Sequence, residues 1–172
     1  MNFLKLHYEE VVRRDLILTE VVETTFHLSA PTKFILSTGG ENINEVSTVS
    51  SLFVLKHLTS YDPYIIRQDV YNLNKGEAVG GKLTLRKSAM YNLLFRLSFE
   101  ILPQQKYFDG FKWPSDVKCF SFVIKDVLDL GEFNFALLFL ESVKPLQCQL
   151  HCSTKKRNSL VTLSRGLLLG IK

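Results

Sequence analysis

The feature that most constrains the fold is a stretch near the carboxyl terminus, Pro145–Thr154, in which apolar and polar residues alternate. The apolar members are Leu146, Cys148, Leu150 and Cys152, and the polar members are Gln147, Gln149, His151 and Ser153. Successive side chains of a β-strand point to opposite faces of the sheet, so the pattern predicts a strand with one buried and one polar face. Such a strand belongs to an antiparallel sheet that is covered on one side only.

Apolar residues at the spacing of an amphipathic helix recur in four other parts of the chain, and we predict a helix in each. Their apolar positions are Tyr8, Val11, Val12 and Leu16 in the first helix; Val46, Val49, Leu52 and Phe53 in the second; Met90, Leu93, Leu94, Leu97 and Ile101 in the third; and Leu160, Leu163, Leu167, Leu168 and Ile171 in the last, which begins near Asn158. Asn44 and Ser88 are predicted N-caps of the second and third helices, because a side-chain oxygen there can accept a hydrogen bond from the first turn. Pro103 is the predicted end of the third helix.

Shorter runs between the helices predict further strands. They are Lys33–Thr38, Tyr64–Gln68, Lys82–Lys87 and Val117–Lys125. The Asn- and Gly-rich stretch Tyr71–Gly81 predicts a long hairpin loop, whereas Asp126–Val143 shows no clear pattern. Helices interleaved with hairpins are typical of an α+β fold. We therefore predict a single domain over residues 1–172, with an antiparallel sheet, helices packed on one face and a polar second face.

The formal net charge is only +4, but basic residues concentrate near the carboxyl terminus. From residue 144 onward the sequence has no Asp or Glu, and its basic residues are Lys144, Lys155, Lys156, Arg157, Arg165 and Lys172. This asymmetry indicates a polyanionic partner, either nucleic acid or anionic lipid. A solvated basic helix gives the same pattern, and charge alone does not decide between them.

Familiar catalytic and cofactor motifs are missing from the sequence. It has no phosphate-binding loop, no G-x-G-x-x-G and no H-E-x-x-H. Cys148, His151 and Cys152 are the densest group of potential ligands, but on a strand the two thiols face away from the imidazole, and the spacing is not that of a zinc site. We therefore predict no catalytic residues, no metal and no cofactor, with Cys148 and Cys152 as core thiols.

The amino-terminal segment gives no sign of export. It lacks a long apolar stretch and carries Glu9, Glu10 and Asp15, whereas transit peptides are poor in acidic residues. The 3 cysteines are an odd number, so we predict a reducing compartment, which includes an organelle that makes the protein itself. No apolar run approaches the roughly 20 residues that span a bilayer, and no membrane partner is expected.

Two predicted strands carry polar stripes that suit RNA. The polar members are Lys82, Thr84 and Arg86 on one strand and Gln147, Gln149 and His151 on the other, with Arg67 before them and Lys155, Lys156 and Arg157 beyond the last strand. Cations can bind phosphates, and amide or hydroxyl groups can bind bases and 2′-hydroxyls. The same alternation is typical of a solvated sheet face, so the stripes leave both interpretations open.

From Val79 onward the sequence resembles a known family. Val79–Arg86 is similar, nearly position by position, to the I-G-x-K-V-T-L-R segment of ribosomal protein five of the large subunit, the bacterial-type protein that binds 5S rRNA in the central protuberance. Leu6–Arg14 resembles the family's first helix, Phe108–Gly110 lies where the family has F-R-G, and Leu146–Ile171 resembles its closing strand and helix. These segments follow one another in the family's order.

The chain departs from the family at residues that bear on RNA binding. Ser37 replaces the asparagine of L-N-x-G, Tyr61 replaces the glutamine of G-Q-x-P, and Asp109 replaces an arginine. Thr84, the third residue of that polar set, is retained. Such divergence, together with 13 Phe, resembles an organelle-encoded member. We predict a mitochondrial ribosome in the matrix, with a plastid or the bacterial cytoplasm as the alternative.

The resemblance implies a structural constituent of the large ribosomal subunit and no enzymatic activity. Its implied partners are 5S rRNA where one is present, large-subunit rRNA, P-site tRNA, neighbouring proteins of the central protuberance and a protein of the small-subunit head. In the family the hairpin loop projects toward the tRNA elbow, which here implies a tRNA-binding loop of Asn72, Asn74, Lys75 and Gly76. The alternative is a non-ribosomal α+β module whose polar sheet face binds a protein.

Overall fold

The computed structural model describes residues 2–19, 28–39, 45–68, 76–105, 108–125, 127, 133, 143, 145–154 and 156–171. The helices are α1, with segments Phe3–His7, Tyr8–Val12 and Arg13–Thr19; α2, Glu45–Thr59; α3, with segments Lys87–Arg96, Leu97–Ile101 and Leu102–Gln104; and α4, Arg157–Gly166. The strands are β1, Pro31–Gly39; β2, Tyr64–Gln68; β3, Glu77–Leu85; β4, Cys119–Ile124; and β5, Leu146–Cys152. The middle segments of α1 and α3 are π-helical turns. The predicted cap Asn44 and nearly all of residues 126–143 lie outside the described residues.

The strands form an open antiparallel sheet in the order β2-β3-β1-β5-β4. The α+β prediction is therefore confirmed. β5 shows the predicted alternation, since every second residue from Leu146 to Cys152 is buried and Gln147 between them is exposed. β4 repeats it, with Phe120, Phe122 and Ile124 buried.

Packing divides the chain into two compact units, each built from separate segments. Unit 1 comprises Met1–Phe34, Leu85–Phe122 and Gln149–Lys172, and unit 2 comprises Ile35–Thr84 and Val123–Cys148. The single domain expected from the sequence over residues 1–172 stays a prediction.

In unit 1, α1 and α4 approach each other closely. A Cβ atom on Gly166 would lie 2.7 Å from Cγ1 of Val12, so a larger residue does not fit there without a shift. His7 Nε2 lies 3.1 Å from the carbonyl oxygen of Gly166, and the Tyr8 hydroxyl donates a 3.0 Å hydrogen bond to the carbonyl of Ser29. The predicted apolar stripe of α3 is confirmed, because its members Met90, Leu93, Leu94, Leu97 and Ile101 are all buried.

Three stripe residues of unit 1 differ from the prediction. Val11 is 44% exposed, because the buried stripe of α1 repeats every four residues, at Leu4, Tyr8, Val12 and Leu16. Leu168 is 43% exposed, because α4 ends at Gly166 and Leu168 takes a left-handed φ of 61° that terminates the helix. Ile171 is buried, but beyond the helix, where it pairs with Phe111 in a parallel bridge.

In unit 2, α2 buries a different face from the predicted one. Val46 and Val49, predicted to be buried, are each 54% exposed. The buried residues are Ser47, Thr48, Ser50, Ser51, Val54, Leu55 and Leu58. Small hydroxyl residues let the helix approach its neighbours, and Thr48 Oγ1 donates a 3.0 Å hydrogen bond to the carbonyl of Ala78 in β3. The predicted face was wrong because it followed hydrophobicity alone.

The predicted hairpin loop is shorter than expected, because β3 already includes Gly80 and Gly81. A Cβ atom on Gly80 would collide with the carbonyl oxygen of Thr38 in β1. One on Gly81 would lie 2.9 Å from side-chain carbons of Leu52 and Leu55. Both positions need glycine for close packing rather than for turn geometry.

The junction between β3 and α3 also differs from the prediction. The strand ends at Leu85, and Lys87, predicted as its last residue, instead begins the helix with a left-handed φ of 50°. Arg86 is the N-cap residue and makes no side-chain capping hydrogen bond. Ser88, the predicted cap, lies within the first turn.

Candidate nucleic-acid interface

β3 carries the first predicted polar stripe. Lys82 and Thr84, in unit 2, are exposed, and Leu83 between them is buried. The strand therefore presents a cation and a hydroxyl on the face opposite its apolar side chains. Arg86, just beyond the strand and in unit 1, is also exposed.

The pairing of β2 with β3 adds an aromatic residue to this face. Tyr64 lies directly opposite Lys82 in the antiparallel register, and opposed residues of adjacent strands place their side chains on the same face. Tyr64 is 79% exposed, so it offers an aromatic surface beside a lysine. Sequence reasoning missed it, because only the strand register brings the two residues together.

Arg67 is exposed near the end of β2, where the strand register changes. Ile66 pairs with Gly80 and Arg67 pairs with Ala78, which marks a bulge. Arg67 also lies three residues beyond Tyr64, so strand alternation directs the two side chains to opposite faces. We place Arg67 on the rim of this edge strand rather than in the row of Tyr64 and Lys82.

In unit 1, β5 contributes the side chains of Gln149 and His151, both half-buried. The neighbouring strand β4 places Cys119 beside them, with its Sγ 3.9 Å from Nε2 of His151 and 3.4 Å from Oγ of Ser121. The two strands thus share a row of hydrogen-bonding groups without a permanent charge. Gln147, at the start of β5 and in unit 2, is exposed.

The basic run after β5 leads into α4. Lys156 and Arg157 are exposed, and Lys155 lies outside the described residues. The guanidinium carbon of Arg157 lies 6.0 Å from the centroid of the Trp113 ring, and that of Arg165 lies 5.9 Å from it. Sequence reasoning pointed to Arg157 as a site residue and counted Arg165 among the basic residues of the carboxyl-terminal region, but it missed Trp113, because the tryptophan is far from α4 along the chain.

The predicted tRNA-binding loop falls mostly outside the described residues. This holds for Asn72, Asn74 and Lys75, whereas Gly76 is half-buried and directly precedes β3. The role of this loop stays a prediction from the resemblance.

The part of the chain that the structure describes holds no group of three or more His, Cys, Asp or Glu side chains that could bind a metal ion. Burial raises the pKa of Tyr8, Tyr91, Cys148 and Cys152, which disfavours their ionised forms.

Among the described helices, none is long and apolar enough to cross a bilayer.

Known proteins similar to this chain share one name, although no family model matches it. The chain is 27% identical over 142 residues to the large ribosomal subunit protein uL5m of Reclinomonas americana, and the match covers 78% of each chain. It is 26% identical over 177 residues to the large ribosomal subunit protein uL5 of Mycoplasma pneumoniae, covering 98% of this chain and 97% of that one. A 67-residue match to uL5 of Wolbachia sp. subsp. Brugia malayi is 39% identical and covers 38% of each chain. The likeness thus extends over nearly the whole chain at modest identity.

Proposed function

We propose that this chain, which belongs to the large ribosomal subunit protein uL5 family, binds rRNA through the polar rows of its strands. Family membership makes it a structural constituent of the large ribosomal subunit, with a part in translation. It also points to a structural rather than an enzymatic role, and to association with the ribosome and its RNA.

The observation that carries the proposal is the exposed face that β2 and β3 build in unit 2. Lys82 supplies a cation, Thr84 a hydroxyl and Tyr64 an aromatic ring. Cations bind phosphates, hydroxyl groups bind 2′-hydroxyls, and aromatic rings stack on unpaired bases. Sheets that bind single-stranded RNA use exposed aromatic rings in this way, and the lysine opposite Tyr64 adds a cation for the phosphate backbone.

The remaining predicted residues complete the proposed contacts with 5S and large-subunit rRNA in the central protuberance. Side chains proposed to bind bases and 2′-hydroxyls are Gln147, Gln149 and His151, and those proposed to bind phosphates are Arg67, Arg86, Lys155, Lys156 and Arg157. Ser37, half-buried on β1, and Asp109, exposed, stand where the family has an asparagine and an arginine. For this reason we propose that the chain binds 5S rRNA more weakly than family members that have the asparagine and the arginine.

The proposal extends to location and to other partners. A mitochondrial ribosome in the matrix is favoured by the likeness to uL5m, whereas the bacterial relatives support a plastid or bacterial ribosome as the alternative. The loop with Asn72, Asn74, Lys75 and Gly76 is proposed to contact P-site tRNA. Neighbouring central-protuberance proteins and a protein of the small-subunit head are the proposed protein partners.

Lys82→Ala and Arg86→Ala test the proposal in salt titrations of RNA binding. Each phosphate contact that is lost lowers the slope of log Kobs against log salt by about 0.7–0.9. Each variant should therefore show a shallower slope and weaker incorporation into large subunits. Lys56→Ala is the matched control, because this exposed lysine of unit 2 lies on α2 and its Nζ pairs with Asp62 at 2.7 Å. Wild-type slopes in both test variants would contradict the proposal.

A further inference from the structure

We propose that Trp113, Arg157 and Arg165, here called the Trp113 cluster, form a second RNA-binding site, which holds the phosphodiester backbone. The cluster lies entirely in unit 1 and uses none of the polar strand rows. This inference rests on the proposed function, which already includes Arg157 as a phosphate-binding residue, and it extends that function to Trp113 and Arg165.

The two guanidinium groups of the cluster share one aromatic ring. Both guanidinium carbons lie within 6.0 Å of the Trp113 centroid, so they are no more than about 12 Å apart. Arg157 and Arg165 are separated on α4 by roughly 12 Å along the helix axis, at about 1.5 Å per residue. Two side chains that start roughly two turns apart on the helix thus reach the same ring, which lies at nearly the same distance from each guanidinium carbon.

Two exposed guanidinium groups within about 12 Å of each other repel only weakly in water, and an anion that lies between them is attracted to both. A cation–π interaction with an exposed ring stabilises the pair by only about 0.5–1 kcal/mol. Within the described ranges no ion pair joins Arg157 or Arg165 to a carboxylate. The sequence from residue 144 onward contains no Asp or Glu either. The cluster therefore places two guanidinium groups around one rigid ring. Guanidinium groups match the geometry of phosphate oxygens.

The surroundings of the cluster are open and rich in cations. Trp113 is 49% exposed, and Lys112 beside it and Lys156 beside Arg157 are exposed as well. Asp109 and Asp116 are exposed carboxylates on the same loop as Trp113, and Lys112 and Lys118 are its described exposed lysines, so these four charges cancel and the excess positive charge of the cluster comes from α4. In proteins that bind nucleic acid without sequence preference, basic side chains follow the phosphate backbone, and aromatic rings lie beside them.

The cluster can be tested through its own fluorescence, because Trp113 is the only tryptophan of the chain. Titration of the full-length protein with an RNA duplex of about 20 base pairs should change the tryptophan emission in step with binding. The double variant Arg157→Gln with Arg165→Gln should lose most of this change. It should also lower the salt slope by about 1.4–1.8, the sum expected for two phosphate contacts.

A matched control removes the same charge elsewhere in unit 1. Arg13→Gln with Arg14→Gln replaces two exposed arginines of α1, and it should keep the emission change and most of the slope. Lys82→Ala should weaken RNA binding while the tryptophan response remains. Far-UV circular dichroism and melting temperature should match the wild type in every variant, because all the replaced residues are exposed.

The outcomes separate this inference from the proposed function. If wild-type protein binds RNA without a change in tryptophan emission, or if the double variant matches the α1 control, the Trp113 cluster is not an RNA site although the proposed function stands. If wild-type protein binds no RNA at all, the proposed function fails as well. A response to an acidic peptide but not to RNA would assign the cluster to a protein partner and overturn the inference.

Discussion

Cys148 and Cys152 show what burial on one face of a strand does to a titratable group. Both thiols lie on the buried face of β5, at 0% and 5% exposure. Burial raises the pKa of both, that of Cys152 to about 12. Since the thiolate is the form that binds metals and attacks electrophiles, these two residues act as small apolar core residues at neutral pH.

The raised pKa values predict a loss of stability at alkaline pH. Unfolded thiols ionise near pH 8.5, whereas the folded state keeps their protons, so the free energy of unfolding should fall as the pH rises from about 8.5 toward 12. Burial also raises the pKa of Tyr8 and Tyr91, which adds to the fall above about pH 10. Urea titrations at a series of pH values measure the effect.

The variant Cys148→Ala with Cys152→Ala isolates the contribution of the thiols. It removes both groups, so its free energy of unfolding should depend less on pH between about 8.5 and 10 than that of the wild type. An identical pH dependence in the two proteins would show that the thiols ionise equally well in the folded state.

At the scale of the elements, β3 depends on two glycines that meet different neighbours. An alanine Cβ at Gly80 would meet the backbone carbonyl of Thr38, which cannot move without distorting β1. At Gly81 it would meet the ends of the Leu52 and Leu55 side chains, which can rotate away. We expect Gly81→Ala to cost about 1–3 kcal/mol of stability, as overpacked core sites do, and Gly80→Ala to cost more.

Gly170→Ala provides the reference for this comparison. A Cβ atom there would lie 3.5 Å from the Phe108 ring, an ordinary van der Waals contact, so its stability should stay within about 0.5 kcal/mol of the wild type. The urea concentrations at the midpoints of unfolding give the order of stability of the three variants. A Gly80→Ala protein as stable as Gly170→Ala would mean that β1 and β3 do not approach as closely as described.

The elements also show which features a sequence can predict. The stripes of α3 and β5 were predicted correctly, because each repeats its apolar residues through the whole element. The buried face of α2 was predicted wrongly, since serines and threonines pack there in place of Val46 and Val49. The pairing of Tyr64 with Lys82 and the contact of Trp113 with α4 depend on register and tertiary packing, which no local pattern encodes.

At the scale of the whole molecule, the net charge is only +4, but ion pairs are distributed unevenly among the helices and strands. On α1 and α3 the described ion pairs join residues four apart, as in Lys5–Glu9, Arg14–Glu10 and Arg96–Glu100. These pairs neutralise helix surfaces. Among the ion pairs of the described residues, none involves Lys82, Arg157 or Arg165, so these exposed cations are available to a polyanion.

The central claim, that the chain is a structural part of the large ribosomal subunit and binds its RNA, is tested most directly by sedimentation of the native protein at high salt. Protein in a lysate from the source cells should migrate with the large subunit through a sucrose gradient and remain there after a high-salt wash. Ribonuclease treatment of that fraction should release it. The account is contradicted if the protein sediments apart from rRNA, whether alone or in a complex that resists ribonuclease, as a non-ribosomal interaction module would.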